Sequence, residues 1–208
     1  MIRLYDYWRS SAAYRVRIVL ALKRVAYERV AVNLLAAEQA APDNLDRNPQ
    51  GLVPTLEADG VMLTQSLAII DWLDATYPEP PILPRDAMAR SQTLARALVI
   101  AADVHPIGNL RVGKRLESTF GADQAAKEDW ARHWMTLGFD ALERMAGAGP
   151  FLGGEAPDLA DVCLVPQLYN ARRFGLDLAP WPKLVAADAA CAGLAAFADA
   201  HPDRVKPD

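Results

Sequence analysis

The sequence predicts a small α/β domain over residues 1–80, followed by an all-helical domain over residues 87–208. Two observations predict this division. Short β-rich runs alternate with helical runs up to residue 80, whereas the pattern beyond it is helical almost throughout. Between the two parts stands Pro78-Glu79-Pro80-Pro81, a density of proline that no helix survives. The predicted fold class is therefore α/β plus all-α.

The first half of the α/β domain is predicted as strand, helix, strand. Alternating side chains indicate a strand over residues 2–7, and apolar residues at steps of three and four indicate a helix over residues 12–24. β-branched and aromatic residues favour a second strand over residues 27–32. Because a helix joins these two strands, we expect them to lie parallel with a right-handed crossover.

A hairpin and a helix are predicted to complete this domain. A polar, Ala-rich connection over residues 33–47 leads to a third strand that begins at Val53. Asp59-Gly60 is the strongest hairpin signal in the chain, and a fourth strand follows over residues 61–63. Helical spacing resumes over residues 66–77.

The second domain is predicted as a set of helices with two long members. Periodicity indicates helical runs over residues 87–118 and 123–146, and the Gly-rich stretch 147–154 ends the second run. His105-Pro106 is expected to kink the first run. Asp158 and Asp161 have the spacing of a capping box and should begin a helix that runs to about residue 173. Two further short helices complete the chain. A catalytic pair of carboxylates at these two aspartates is possible, but a helix cap is favoured.

Composition excludes several classes of protein. Hydrophobic residues make up 52% and charged residues 23%, which is typical of a globular chain rather than a disordered one. The net charge is −4 and neither part of the chain is basic, so no nucleic-acid partner is expected. No apolar stretch approaches the ~18 residues of a membrane span, and charged residues interrupt any signal peptide at the N-terminus. We therefore expect a cytoplasmic protein with no membrane partner.

The cysteines and histidines indicate neither a disulfide framework nor a metal. Cys163 and Cys191 lie in apolar helical surroundings and are interpreted as reduced core residues. The three histidines and two cysteines are scattered, without metal-ligand spacing, so no metal is expected.

Four segments in register resemble one family. Residues 9–18, RSSAAYRVRI, resemble the zeta-class glutathione transferase signature S-S-C-x-x-R-V-R-I. Residues 48–54 and 65–69 resemble the two glutathione-binding segments of that family, and residues 159–167 with Arg173-Phe174 resemble its C-terminal domain. The similarity covers essentially the whole chain.

The resemblance implies a fold, a cofactor and an activity. The fold is the glutathione transferase fold, with a thioredoxin-like N-terminal domain that binds glutathione and a helical C-terminal domain that binds substrate. The activity is glutathione-dependent cis–trans isomerisation of maleylacetoacetate or maleylpyruvate in the breakdown of aromatic compounds. A homodimer is also implied. Ala12 replaces the signature cysteine, which argues against reductive dehalogenation but leaves isomerisation intact.

Ser10 and Ser11 are the candidate catalytic residues. From the dipeptide alone, a helix N-cap is favoured. A helix N-terminus also favours an anion, so the same position suits a thiolate. The resemblance implies that Ser10 lies closest to the glutathione sulfur, with Ser11 beside it.

The resemblance also implies a wider set of glutathione ligands. A cis Val53-Pro54 bond would present the Val53 backbone to the cysteinyl unit, and the helix start at Gln65-Ser66 would hold the γ-glutamyl carboxylate. Gln39 lies in the loop used near the glycyl end. The full implied set is Ser10, Ser11, Ala12, Gln39, Val53, Pro54, Gln65, Ser66, His105 and Asn109.

Three arginines are candidate ligands of the substrate carboxylates. Singly, each of Arg9, Arg111 and Arg173 is expected to be a solvated surface charge. As a set they fit a dianionic substrate, because the planar guanidinium matches a carboxylate. Arg15 and Arg17 are weaker candidates, since their helix must pack against the sheet, where they can snorkel or pair.

Two other functions stay open from the sequence. One is a general glutathione transferase that conjugates or reduces small electrophiles, and the other is a non-catalytic glutathione-binding module. Fold alone does not define function, so the residues of the site must decide.

Overall fold

The structure is a computed structural model that describes residues 1–207, and these residues form two compact units. The first unit contains Met1–Ile82 together with the described residues from Gly193 to Pro207, and the second contains Leu83–Ala192. The predicted division placed everything after residue 87 in the second domain. The structure differs in returning the last helices to the first unit.

The first unit is built on a mixed sheet. Its elements up to residue 82 are β1 (Ile2–Asp6), α1 (Ser11–Leu22), β2 (Glu28–Ala31), a 3-10 turn (Glu38–Ala40), α2 (Pro42–Arg47), β3 (Thr55–Ala58), β4 (Val61–Thr64) and α3 (Ser66–Thr76). Across the described residues, four strands pair in the order β2-β1-β3-β4. β1 and β2 are parallel, with Leu4 opposite Arg29, as the helical crossover predicts. The other two pairings are antiparallel.

The core of this unit lies between the sheet and the two helices α1 and α3. Leu4 and Leu56 face each other across β1 and β3 and are fully buried. α1 contributes Val19 and α3 contributes Leu73, both with no exposed area. The hairpin turn is as predicted, with positive φ at Asp59 and Gly60, the backbone of a type I′ turn.

The second unit is helical. Its elements are α4 (Ala87–Leu98), a π-helical segment (Val99–Val104), α5 (His105–Ile107), α6 (Leu110–Phe120), α7 (Gln124–Met145), α8 (Leu159–Arg173) and α9 (Pro182–Ala192). The helical run predicted over residues 87–118 is not one helix kinked at His105-Pro106, because a π-helical segment and a turn at Gly108 divide it. The helical hydrogen bonding changes at the π segment, and the chain turns at Gly108 before Asn109 caps a new helix by accepting from Arg111 N at 3.2 Å.

The predicted capping box at the start of α8 is confirmed. The Asp158 carboxylate accepts from Ala160 N at 2.7 Å, and the Asp161 carboxylate accepts from Asp158 N at 3.0 Å. Asp161 also accepts from Leu152 N at 2.8 Å and has no exposed area. The two aspartates therefore have a structural role at the helix start. Cys163 and Cys191 are both buried thiols, in agreement with the predicted core position.

The chain returns to the first unit through α10 (Ala195–Asp199) and α11 (Pro202–Val205). Tyr14 on α1 donates through its hydroxyl to the carbonyl of Phe197 at 3.3 Å, and Phe197 itself is buried. No helix within residues 1–207 is long and apolar enough to cross a membrane. Over the same residues, no three or more His, Cys, Asp or Glu side chains are grouped to hold a metal ion.

Candidate functional site

The turn between β1 and α1 places Ser10 at a helix start. Ser10 N donates to Tyr7 O at 2.9 Å, and the Ser10 hydroxyl accepts from Ala13 N at 3.3 Å. Ser10 is therefore the N-cap of α1, with the extended backbone (φ −68°, ψ 121°) usual for that position. A hydroxyl that accepts one hydrogen bond keeps its proton to donate elsewhere. The cap and a role in binding an anion are compatible.

The electrostatics of this helix start favour a negative charge. The first turn of α1 carries no acidic side chain, so nothing there neutralises the partial positive charge of the helix end. Ser11, its first residue, is 9% exposed. Ala12 follows it and is half-buried. The two serines are thus brought together at one helix terminus, as the sequence predicts.

The approach to β3 contains a cis peptide bond between Val53 and Pro54, as the resemblance implies. Pro54 is buried and Val53 is half-buried. The ladder begins one residue later, at Thr55, because proline has no backbone N–H to donate. Val53 therefore lies just ahead of the paired part of the strand.

The start of α3 combines strained backbone with a buried hydroxyl. Gln65 has φ 67° and ψ 117°, a conformation that non-glycine residues rarely adopt and that clusters at binding sites. Its side-chain Nε2 donates to the side-chain Oε1 of Gln50. The Ser66 hydroxyl is buried and accepts from Arg15 Nη1 at 3.3 Å. An arginine can only donate, so this contact does not use the Ser66 hydroxyl proton.

Gln39 lies in the 3-10 turn with an unused acceptor. Its backbone carbonyl accepts from Asn44 Nδ2 at 2.9 Å. Its side-chain Oε1 is buried and has no hydrogen-bond partner among the described residues. Buried polar atoms are normally paired, so this oxygen is suited to a ligand donor.

Arg9 follows Trp8 and precedes the cap. Its guanidinium carbon lies 5.3 Å from the centroid of the Trp8 ring, which is a cation–π distance, and the side chain is half-buried. This contact fixes the arginine beside the start of α1.

The second unit holds the remaining candidates. Asn109 and Arg111 meet at the start of α6, where Arg111 is exposed, and half-buried His105 begins α5. Arg173 lies in the last turn of a different helix, α8, and is also exposed. Its Nη1 donates to Asn170 Oδ1 at 3.0 Å.

Sequence reasoning undervalued the two arginines inside the signature. Arg15 is 2% exposed and Arg17 is 0% exposed, so neither is a snorkelling surface charge. Arg17 makes a bidentate ion pair with Asp6, with the closest contact at 2.7 Å. Burial raises the pKa of the Asp6 carboxyl, and the Arg17 charge opposes that rise. Two arginines within an apolar helix were the available signal, because buried arginine must be paired.

Comparison with known sequences defines the family. Residues 4–81 match the family model of the glutathione S-transferase N-terminal domain, and residues 136–200 match that of the glutathione S-transferase C-terminal domain. It belongs to the glutathione S-transferase family. The maleylacetoacetate isomerase of Rhizobium meliloti is 50% identical over 207 residues, which cover 98% of this chain and 97% of that protein.

Two similar solved structures indicate which class of glutathione S-transferase the chain resembles. The holo structure of a maleyl pyruvate isomerase, a bacterial glutathione S-transferase of the zeta class, superimposes with a TM-score of 0.96 at 45% identity and covers 99% of each chain. A maleylacetoacetate isomerase from Anaeromyxobacter dehalogenans, with GSH bound in its active site, gives a TM-score of 0.89 at 48% identity. It covers 100% of this chain and 97% of that one. The predicted zeta-class resemblance and the predicted fold are confirmed.

Proposed function

We propose that this chain is a glutathione-dependent isomerase that converts maleylacetoacetate or maleylpyruvate into the fumaryl isomer. The observation that carries the proposal is the start of α1, where a serine cap meets an uncompensated helix end. Relatives that share its whole length carry the isomerase names given above. Bound glutathione supplies a thiolate that adds to the cis double bond and leaves after rotation, so glutathione is regenerated rather than consumed.

The residues present fit a glutathione molecule. The Ser10 proton is available to a sulfur, and the Ser66 hydroxyl keeps a proton for a carboxylate at the positive end of α3. Gln39 offers a buried acceptor. These three features are what a tripeptide with a thiol, a carboxylate and amide N–H groups requires.

Ser10 and Ser11 stabilise the thiolate in this proposal. A free thiol with a pKa of about 8.5 is only a few per cent ionised at neutral pH. Each unit by which the pKa is lowered requires about 1.4 kcal/mol of preferential stabilisation of the anion. A hydroxyl donor and a helix terminus together supply interactions of that size.

The other ligands are assigned by the part of glutathione they would hold. Val53 would pair through its backbone with the cysteinyl unit, in the manner of an added strand. The γ-glutamyl carboxylate would lie at the start of α3. The complete proposed set is Ser10, Ser11, Ala12, Gln39, Val53, Pro54, Gln65, Ser66, His105 and Asn109.

Arg9, Arg111 and Arg173 bind the substrate carboxylates in this proposal. Their guanidinium groups supply planar donors that match a carboxylate. The substrates carry two negative charges, and a set of arginines compensates for the acidic balance of the whole chain.

We propose that residues 1–80 bind glutathione and that the helical part, residues 87–208, binds the substrate, while the last helices of that part group with the first unit. We also propose a homodimer in the cytoplasm, acting on small molecules rather than on nucleic acid or membranes. The two buried thiols support a reducing compartment.

The test follows purified protein with maleylacetoacetate and with maleylpyruvate, in the presence and absence of glutathione. We expect glutathione-dependent formation of the fumaryl isomer with no loss of glutathione, and the ratio of the two rates identifies the preferred substrate. Consumption of glutathione with chloro-aromatic electrophiles, and no isomerisation, would instead establish a conjugating transferase. Binding of glutathione without turnover of any substrate would establish a binding module.

A further inference from the structure

Arg17 joins four parts of the first unit. Its Nη1 donates to both carboxylate oxygens of Asp6, at 2.9 and 2.7 Å. Its Nη2 donates to Trp8 O at 2.9 Å, and its Nε donates to Ala200 O at 3.1 Å. The side chain is completely buried. One guanidinium therefore connects the end of β1, the turn before Ser10, the body of α1 and the segment that begins with α10.

The turn from Tyr7 to Ser10 is held at two points. Ser10 N donates to Tyr7 O, which closes the turn on itself. The Trp8 carbonyl, which points to Arg17, attaches the turn to α1. Ser10 caps the same helix, so its hydroxyl has a defined position only while the turn packs against α1 through the Trp8–Arg17 hydrogen bond.

The C-terminal segment contacts this turn as well as the arginine. Two cations lie near the Trp8 ring, the Arg9 guanidinium carbon at 5.3 Å and Lys206 Nζ at 5.6 Å from its centroid. Phe197 is buried and its carbonyl accepts from Tyr14 on α1. The residues from Ala195 to Lys206 therefore pack against the same stretch of chain that Arg17 fixes.

We infer that Arg17 is a positioning residue for Ser10, and that it couples the C-terminal segment to the turn that carries the proposed thiolate contact. The inference rests on the proposed function, since it concerns the residue assigned to the sulfur. Arg17 acts through the Trp8 carbonyl and touches no reacting atom. The positive charge of Arg17 is neutralised by Asp6, so Arg17 affects the thiolate by holding Ser10 in position rather than through its charge.

Three variants separate positioning from simple support of the fold. Arg17→Lys keeps a positive charge near Asp6, but a single ammonium cannot reproduce the fork that reaches Asp6, Trp8 O and Ala200 O together. Phe197→Ala loosens α10 and leaves Arg17 in place. Lys23→Met is the matched control, because Lys23 is also a buried cation and caps the C-terminal end of α1, opposite to Ser10, where it pairs with Asp74.

The first readout is amide hydrogen exchange in unliganded protein. Arg17→Lys and Phe197→Ala should each speed exchange at Ser10 and Ala13 by about tenfold or more, since both amides depend on the seated turn. Lys23→Met should leave these two amides unchanged even where it lowers the melting temperature as much. If Arg17→Lys does not fold, the exchange rates of Phe197→Ala and Lys23→Met are compared to test whether the C-terminal segment is coupled to the turn.

The second readout is the pKa of the bound glutathione thiol, measured from thiolate absorbance near 240 nm. We expect Arg17→Lys to raise it by about one unit, with a tenfold fall in kcat below that pKa and a smaller change in the KM of the dicarboxylate. The inference is overturned if the turn exchanges no faster in Arg17→Lys and Phe197→Ala than in the control, or if the thiol pKa does not move. If the native protein neither lowers the pKa of the glutathione thiol nor isomerises the substrates, the proposed function is overturned. The hydrogen-exchange experiment still measures whether the C-terminal segment is coupled to the turn from Tyr7 to Ser10.

Discussion

At the scale of single residues, Ser10 combines a structural and a chemical role. Its hydroxyl oxygen accepts from Ala13 N and its proton remains to be donated. A variant at this position therefore loses two different things, and the two losses can be measured separately.

Ser10→Ala should lower kcat about 100-fold, as the loss of one well-placed donor to a developing or resident anion does. It should also cost about 1 kcal/mol of stability, because the α1 cap is lost. Asp123→Ala is the matched control, since Asp123 caps α7 through Ala126 N and has no proposed ligand contact. Steady-state kinetics and urea unfolding on both variants check this. If the two variants have equal kcat, Ser10 has no role in stabilising the thiolate.

The cysteines give a second prediction at this scale. Burial raises the pKa of the Cys191 thiol, and Cys163 is fully buried in α8. We therefore expect iodoacetamide to label neither cysteine in the native protein and both after denaturation, as measured by intact mass. Ala12→Cys, which restores a thiol at the half-buried start of α1, is the positive control and should be labelled under native conditions. Labelling of native Cys163 or Cys191 would contradict the described packing.

The carboxyl group of Asp161 should make the stability of the protein depend on pH. Burial raises the pKa of its carboxyl to about 6, above the ordinary value of 3.8. The folded protein thus holds this proton more tightly than the unfolded chain does. The resulting stability is fully present below pH ~3.8 and is lost as the pH rises towards 6.

The prediction is a loss of about 2 kcal/mol in the free energy of unfolding between pH 4 and pH 7, attributable to the Asp161 carboxyl. Asp161→Asn should remove that contribution, because the amide does not titrate. It should also be less stable overall by ~2 kcal/mol, since Leu152 N and Asp158 N donate to different carboxylate oxygens and the asparagine NH2 group would face one of these donors. Urea unfolding at both pH values tests this. An equal pH slope in the two proteins would refute it.

At the scale of elements, the π-helical segment is matched to a glycine on the neighbouring helix. A Cβ atom built at Gly138 of α7 would lie 2.2 Å from Val104 Cγ2, at the end of the π segment. Val104 is 3% exposed and has little room to move. The absence of a side chain at Gly138 permits the wider helix to pack against α7.

Gly138→Ala should therefore destabilise the protein by ~2 kcal/mol, the usual cost of overpacking, although alanine favours a helix over glycine. Val104→Ala in the same chain should recover most of that loss, because it removes the colliding methyl group. Gly113→Ala in α6, where a Cβ meets nothing closer than 3.8 Å, is the control and should be neutral or stabilising. A double-mutant cycle by thermal unfolding measures the coupling. Independent, additive effects would show that the contact does not matter.

The elements also show where the sequence sufficed and where it did not. The parallel β1–β2 pair, the Asp59-Gly60 turn and the cap of α8 depend on neighbouring residues, and their signals are local. The kink predicted at His105-Pro106 lies inside the interruption between α4 and α6, but the π-helical segment Val99–Val104 was not predicted. A change in hydrogen-bond spacing leaves no mark on composition.

At the scale of the whole molecule, the least predictable features are non-local. The return of α10 to the first unit depends on contacts such as Arg17 to Ala200 O, which join residues 183 positions apart. The burial of Arg15 and Arg17 could be suspected from their apolar helix, but no periodicity identifies their acceptors, which are the Asp6 carboxylate, the Ser66 hydroxyl and the backbone carbonyls of Trp8 and Ala200. The position of Ser10 and Ser11 at a helix start, by contrast, follows from the local sequence, and their role towards glutathione stays a prediction.

The net charge of −4 gives a whole-molecule test of the arginine proposal. If the overall field governed binding of a dianionic substrate, added salt would screen repulsion and lower KM. If Arg111 and Arg173 govern it, salt weakens the attraction and KM rises. We expect KM to rise with KCl, and Arg111→Ala or Arg173→Ala to raise KM at least tenfold and flatten its salt dependence, with the KM for glutathione unchanged. Arg144→Ala, another exposed arginine in a last helical turn, is the control and should behave as the native protein. A fall in KM with salt would show that the field of the whole chain, rather than these side chains, governs how the substrate binds.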